Sequence, residues 1–347
     1  MNTQVAVIGA GSWGTTVASL LAGRTPTVLW AREPEVVDAV RSGRGNPLFL
    51  PGVDLDPALR ATGELSEALT GAGLVVVAVP TQHLRVVAEG LAGCWDRVGP
   101  DAVVLSLAKG IEQHTLRRPS EVLVELLSRQ DPARVGVLSG PNLAREIAAG
   151  QPAATVVAAA DAEAARLAQR LLMHGRFRVY TSTDVVGCEI GGAIKNVIAI
   201  GAGIADGLGY GWNARAALIT RGLAELTRLG VALGGEPLTF LGLAGNGDLI
   251  ATCASDESRN RRVGLALGRG RALEDILAEM RMVAEGVASA PAVLALAERH
   301  GVEMPISAEV AAVLRGERSP ADAVAALMGR EPTTELHDLP ARRPPQA

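Results

Sequence analysis

Near its start the chain reads Val5-Ala-Val-Ile8-Gly9-Ala-Gly11-Ser12-Trp13-Gly14. A short apolar run of strand length passes directly into glycines spaced as GxGxxG, and a helical stretch, Trp13–Ala22, opens within them. One glycine makes the tight turn, one lets backbone approach a pyrophosphate, and one lets helix and strand pack closely. The diphosphate then rests on a helix N-terminus, where N–H groups and the dipole favour anions. By spacing alone the motif also fits a tight turn that binds nothing. Its strand–turn–helix setting is what points to a dinucleotide.

The surrounding sequence supplies the rest of that setting. Apolar runs recur at Thr27–Ala31, Leu74–Val79, Ala102–Leu107 and Val135–Leu138, with helical stretches around Glu35–Arg41, His83–Leu91 and Ser120–Leu127 between them. Runs apolar throughout suit strands covered on both faces, and the alternation predicts a doubly wound (Rossmann-type) parallel sheet with right-handed crossovers. Two further runs, Ala154–Ala158 and Arg178–Thr181, flank a helical stretch at Ala162–Leu172 and extend the sheet. After Asp184 strand-like runs stop and apolar residues recur at helical spacing to about Met328. The α/β part is therefore expected over residues 1–183. An all-α domain, whose long first helix starts near Val185, is expected over 184–335, and a disordered tail over 336–347.

Composition narrows the function classes. The 347 residues carry a net charge of −4, with 48% hydrophobic and 20% charged residues, an ordinary globular balance. Nothing resembles the clustered excess base that marks a nucleic-acid or anionic-membrane surface. Cys94, Cys188 and Cys253 form no close pair, and the five histidines show no metal-ligand spacing, so no metal is expected. No stretch approaches 18 consecutive apolar residues. These features read as a soluble cytoplasmic protein with no nucleic-acid or membrane partner.

Basic residues give the sharpest signal. Of 33, only Lys109 and Lys195 are lysines; the rest are arginines. A chain that uses Arg wherever charge suffices keeps Lys where a compact ammonium able to lose its proton is wanted. Lys109 follows the Ala102–Leu107 run, in the region where ligands of open α/β sheets bind. Ser139-Gly140-Pro-Asn142 follows the next strand, offering backbone N–H groups and an amide. Lys195 has Gly191, Gly192, Ile198 and Ala199 at i±3 and i±4, so no carboxylate on its own helix pairs with it. Small residues beside it predict space around the ammonium and a depressed affinity for its proton.

Three more segments fit an anionic, hydroxyl-bearing ligand. Ser258-Arg259-Asn260-Arg261-Arg262 opens a helix and reads either as an anion clamp or as a capped helix with a basic solvated turn. Gly245-Asn-Gly247-Asp248 places a carboxylate on a Gly-rich turn, where it could orient a lysine. The second strand ends Trp30-Ala31-Arg32-Glu33: the strand-end position, where an acidic residue would meet a ribose 2′-hydroxyl, is apolar, Arg32 follows, and the carboxylate comes only afterwards. NADP(H) is thereby favoured and NAD(H) retained, a solvated Arg32–Glu33 pair being the alternative.

In this order, Gly9–Gly14, Ala108–Glu112, Leu138–Pro141, Gly191–Asn196, Leu243–Asp248, Ser258–Gly264 and Met282–Val287 make the chain resemble the bacterial NAD(P)-dependent glycerol-3-phosphate dehydrogenases from Val5 to about Met328. Two departures are Phe49, where that family usually has Tyr, and Asn142, where it usually has Ser. The resemblance implies interconversion of sn-glycerol 3-phosphate and dihydroxyacetone phosphate with NADP(H) or NAD(H), supplying glycerophospholipid synthesis, by a homodimer. It implies Lys195 as proton acceptor in oxidation, with Lys109 and Asp248 in supporting catalytic roles. It also implies a substrate site of Lys109, Gly140, Asn142, Lys195, Asp248, Ser258, Arg259 and Asn260. Cofactor contacts would come from Gly9, Gly11, Ser12, Trp13, Gly14, Arg32, Lys109, Ala144, Arg259, Val283 and Glu285. Two competing readings are a 3-hydroxyacid or 6-phosphogluconate type of dehydrogenase, which would need a carboxylate-binding constellation in place of Ser258–Asn260, and a non-catalytic dinucleotide-binding redox sensor, which would not need Lys195.

Overall fold

The computed structural model describes residues 3–280 and 282–335, and the expected disorder of 336–347 falls outside them. Packing divides the chain into two compact units, with the division after Glu189. The expected boundary lay six residues earlier, before the first residue of a long helix; the division falls inside that helix.

The first unit contains β1 (Gln4–Ile8), α1 (Ser12–Ala22), β2 (Thr27–Trp30), α2 (Pro34–Arg41), β3 (Arg60–Thr62), α3 (Leu65–Leu69), β4 (Ala72–Val77) and α4 (Thr81–Ala92). It continues through β5 (Val103–Ser106), α5 (Pro119–Leu126), β6 (Val135–Ser139), α6 (Ala144–Ala148), β7 (Ala153–Ala158), α7 (Ala162–Leu172) and β8 (Phe177–Ser182). The strands form one sheet in the order β3-β2-β1-β4-β5-β6-β7-β8. Val5, Val7, Leu74, Val76, Val103 and Leu105 pack against helices on one face, and Ala6, Ile8, Val75, Val77 and Val104 on the other. Such two-sided burial is why these strands read as unbroken apolar runs.

Two features depart from the expected sheet. β3 is only three residues long and begins with an exposed arginine, too little pattern to declare itself. The sheet is also not wholly parallel: β6 and β7 pair antiparallel, Val137 opposite Ala158 and Ser139 opposite Val156. A parallel return is usually carried by a full helix, whereas the β6–β7 link, residues 140–152, holds only the five-residue α6.

Beyond β8 no strand occurs among the described residues. The helices are α8 (Val185–Gly207), α9 (Trp212–Ala232), α10 (Asp248–Ala254), α11 (Arg259–Gly268), α12 (Leu273–Glu279), α13 (Glu285–Arg299), α14 (Pro305–Leu314) and α15 (Pro320–Met328). α8 qualifies by length and mean hydropathy as a bilayer-crossing helix, which counting consecutive apolar residues did not reveal; 89% of its apolar window is buried in protein. A central helix surrounded by others is apolar on all sides. Four glycines set its closest neighbour. A Cβ on Gly203 would stand 2.1 Å from Arg261 O, one on Gly207 2.5 Å from Leu265 O, one on Gly264 2.0 Å from Ile200 O and one on Gly268 2.4 Å from Ile204 O. α8 and α11 therefore cross backbone against backbone.

Candidate functional site

In the first unit the glycine loop divides its labour visibly. Gly9 has φ +110°, and a Cβ there would lie 2.6 Å from Ala78 O at the end of β4. A Cβ on Gly14 would lie 2.0 Å from Gly9 O, so this glycine lets α1 close onto β1. Around Gly11 nothing lies within 4 Å of the added atom. Gly11 is also the N-cap of α1 and offers no side-chain cap, leaving the first-turn N–H groups without an acceptor inside the helix. Open space above the first-turn donors of a helix fits a dinucleotide diphosphate.

Side chains around the loop hold it in place. Asn46 donates to Ala10 O and to Thr15 Oγ1, each at 2.8 Å. Ser12 Oγ donates to Phe49 O at 2.6 Å, a contact made by the main chain of Phe49. Trp13 meets Phe177 edge-on with ring centroids 6.0 Å apart, and its buried indole N–H has no hydrogen-bond partner. Ala144 opens α6, and its carbonyl accepts from Thr16 Oγ1 at 3.3 Å.

Further along the same sheet end, Lys109 Nζ donates to Gly140 O at 2.9 Å. Gly140 has φ +133°, a conformation that disfavours any side chain. Asn142 Nδ2 donates to Thr155 Oγ1 at 3.1 Å, while its buried Oδ1 has no hydrogen-bond partner. The amide is thus half committed to β7 and keeps one acceptor. Arg32 is brought together with Glu33: its Nη2 lies 2.8 Å from Glu33 Oε1, and the side chain is 79% exposed.

α8 leaves the first unit held by its first turns. Glu189 is buried and accepts from Ser120 N (2.7 Å), Ser120 Oγ (2.7 Å) and Arg118 Nη1 (2.6 Å), fixing α8 to the start of α5. Burial pushes this carboxyl upward, and Arg118 with the Ser120 donors opposes the shift.

In the second unit Lys195 is buried at 6% exposure, and its surroundings are not the small apolar ones expected. Its Nζ donates to Asp248 Oδ1 at 2.5 Å and to Thr252 Oγ1 at 2.7 Å. The space left by small residues is taken by backbone: a Cβ on Gly191 would lie 2.5 Å from Ala244 O. Close approach of the Leu243–Gly247 turn, which winds as a π-helix, delivers Asp248 as the first residue of α10. Thr252 was not anticipated. The sequence carries the signal, because on a helix Asp248 and Thr252 share one face one turn apart, but the glycines just before Asp248 read as a turn and mask it.

Asn196, beside Lys195, was likewise not singled out. It receives Asn260 Nδ2 at 2.9 Å, and Asn260 Oδ1 accepts from Gly286 N at 2.9 Å. Asn260 therefore ties α8, α11 and α13 together. Ser258 caps α11 by accepting from Arg261 N at 3.2 Å. Arg261 is buried and paired with Asp206 and Asp256, whereas Arg262 is exposed, so the basic turn is solvated only in part. The side chain of Arg259, the first residue of α11, makes no hydrogen bond or ion pair among the described residues. Burial pushes its guanidinium pKa down while the nearby Glu285 charge opposes this. Val283 is 41% exposed, just before α13. A desolvated guanidinium without a paired carboxylate, on a helix N-terminus, suits an incoming phosphate.

Comparison with known proteins gives a consistent picture. Residues 4–165 match the family NAD-dependent glycerol-3-phosphate dehydrogenase N-terminus, and residues 184–325 match its C-terminus. A protein of Thermobifida fusca named glycerol-3-phosphate dehydrogenase (NAD(P)+) is 51% identical over 97% of this chain and 100% of its own. A Sphingopyxis alaskensis protein with the same name, numbered 2, is 50% identical over 97% of this chain and 99% of its own. Among solved structures, a glycerol-3-phosphate dehydrogenase of Coxiella burnetii superposes with a TM-score of 0.88 at 36% identity, covering 94% of this chain and 99% of that one.

Proposed function

The chain belongs to the NAD-dependent glycerol-3-phosphate dehydrogenase family, and from that premise we propose how its residues interconvert sn-glycerol 3-phosphate and dihydroxyacetone phosphate. It is an NAD(P)-dependent oxidoreductase, an activity that feeds glycerophospholipid synthesis. The observation that carries the catalytic reading is the buried Lys195–Asp248–Thr252 cluster. When bound, a nicotinamide dinucleotide would supply the hydride-transfer chemistry needed at substrate C2. Lys195 moves the matching proton at the C2 oxygen, giving it when the ketone is reduced and taking it when the alcohol is oxidised. Asp248 and Thr252 hold the ammonium in position, and the positive charge stabilises the oxygen as it becomes anionic.

Arg259, Ser258 and the first N–H groups of α11 take the substrate phosphate, while Asn260 acts by positioning, since both ends of its amide are engaged. In the first unit the first turn of α1, with Gly11 beneath, takes the dinucleotide diphosphate. Arg32 takes the ribose 2′ substituent, which favours NADP(H). Lys109, Gly140, Asn142 and Ala144 form the ligand-facing end of β5 and β6, and Glu285 and Val283 serve the cofactor. The three free cysteines suit a cytoplasmic enzyme, and the family resemblance supports a homodimer.

Membership at about half identity over nearly the whole chain favours this reading over a 3-hydroxyacid dehydrogenase or a redox sensor. The test is oxidation of NADPH and of NADH, followed by absorbance, with dihydroxyacetone phosphate and with a 3-keto acid. Turnover is expected with the phosphate alone. No turnover with either cofactor would overturn the proposal.

A further inference from the structure

We propose that Glu33 sets the balance between the two nicotinamide dinucleotides. Its carboxylate is the counter-ion that Arg32 must leave to take a ribose 2′-phosphate, and it is the acceptor offered to an unphosphorylated 2′-hydroxyl. The inference rests on the assignment of Arg32 to the ribose 2′ position. β2 ends at Trp30, whose carbonyl accepts from Gly9 N at 3.1 Å, so the residues following it emerge beside the glycine loop. Trp30 occupies the strand end where an acidic residue would otherwise sit, and its indole N–H is turned to Gly63 O at 2.8 Å. The first carboxylate after the strand is Glu33.

Its environment leaves it available. Glu33 stands at the N-cap of α2 with extended backbone, yet its side chain makes no capping bond. Instead one oxygen, Oε1, receives both Nε (3.2 Å) and Nη2 (2.8 Å) of Arg32. A carboxylate has room for about four hydrogen bonds. The Glu33 side chain is 25% exposed against 79% for Arg32, so the guanidinium is the partner that lies more open to an incoming group. An exposed pair of this kind holds weakly and is screened by salt.

Against this pair the two cofactors differ in sign. A 2′-phosphate brings almost two negative charges, which attract Arg32 and are repelled by Glu33. A 2′-hydroxyl brings a donor that a carboxylate can accept, and having no charge it gains from a guanidinium only a neutral acceptor contact. One residue pair can thus serve both dinucleotides, with Glu33 penalising NADPH and aiding NADH.

The test is direct binding, without turnover. Dissociation constants for NADPH and NADH are measured by calorimetry at low and high ionic strength for the wild type, Glu33→Gln, Glu33→Asp and Arg32→Ala. Glu33→Gln should tighten NADPH by about three- to tenfold and weaken NADH by a similar factor, the NADPH gain shrinking as salt rises. Glu33→Asp, which keeps the charge, should hold the affinity ratio near the wild-type value. If Arg32→Ala weakens NADPH selectively but Glu33→Gln leaves the ratio unmoved, the role of Glu33 is overturned. If Arg32→Ala weakens both cofactors equally, the assignment of Arg32 fails first.

Discussion

Lys195 Nζ lies 2.5 Å from Asp248 Oδ1, both side chains buried. The pair joins residues from the middle of α8 and the first position of α10, so it depends on the turn that Gly191 allows to come close. Removing one member of a buried pair leaves an uncompensated charge, at a cost of about 3–5 kcal/mol. Asp248→Asn should therefore lower the melting temperature as well as kcat. Adding Lys195→Met to Asp248→Asn should recover much of the stability and none of the activity. Thermal melts of the two variants check this, and equal melting temperatures for them would refute it.

Lys195→Arg separates charge from proton transfer. Guanidinium keeps the cation but does not exchange its proton in the working pH range. Dinucleotide affinity should survive while kcat falls by roughly 10²–10⁴, the usual share of general acid–base catalysis. No recovery should occur at high pH. Near-wild-type kcat in a folded variant would leave Lys195 an electrostatic role alone and move attention to Lys109.

Arg259→Ala should cut kcat/KM for dihydroxyacetone phosphate sharply and affect unphosphorylated dihydroxyacetone far less, because a charge-assisted contact to phosphate is lost. Its stability signature is the reverse of Asp248→Asn. Arg259 is desolvated without a protein hydrogen bond, so its removal should leave the melting temperature level or higher. A large drop in melting temperature would show a structural role.

Gly11→Ala and Gly14→Ala make a matched pair. At Gly11 the added methyl meets open space, so the fold should tolerate it while dinucleotide affinity falls. At Gly14 the methyl would lie 2.0 Å from Gly9 O, so the fold itself should suffer. Denaturant melts and cofactor titrations on both variants distinguish the two effects. Similar stability losses would contradict the division of labour within the loop.

Glu225 gives a pH-dependent prediction. Its carboxylate caps α14, accepting from Ile306 N, Ser307 N and Ser307 Oγ, yet burial outweighs these donors and raises its pKa from 4.5 to about 7. Between those pH values the folded chain keeps a proton that the unfolded chain has released. Stability should therefore fall as pH rises from 4.5 to 7, by at most about 3 kcal/mol from this group, and level off above. Glu225→Gln should flatten that slope in urea unfolding measured across the range. An unchanged slope would remove Glu225 as its source.

The sheet and the helical half were legible because their signals are local: apolar runs, glycine spacing, helical periodicity. β3 escaped because three residues make no pattern. The antiparallel joint escaped because it depends on how little helix fits between β6 and β7. In the site, the Lys195 position was visible from the chain's preference for arginine and Asp248 as a carboxylate able to orient a lysine, but Thr252 was not, and no local spacing paired any of them. Asp248 and Thr252 reach it across more than fifty residues, and one-helix spacing cannot report such a meeting. The same limit hid Asn196, whose role exists only once Asn260 arrives.

The backbone-to-backbone crossing of α8 and α11 bears on how freely this sequence can vary. Gly203, Gly207, Gly264 and Gly268 touch no substrate by any assignment made above, yet each faces a carbonyl that a methyl group would strike. By helix propensity alone, alanine would be preferred at all four. In a saturation mutagenesis screen they should tolerate replacement as poorly as Lys195, though for a different reason: pushing the helices apart would carry Ser258 and Arg259 away from the helix that bears the lysine. A residue can thus score as essential to the chemistry while contributing only the absence of a side chain.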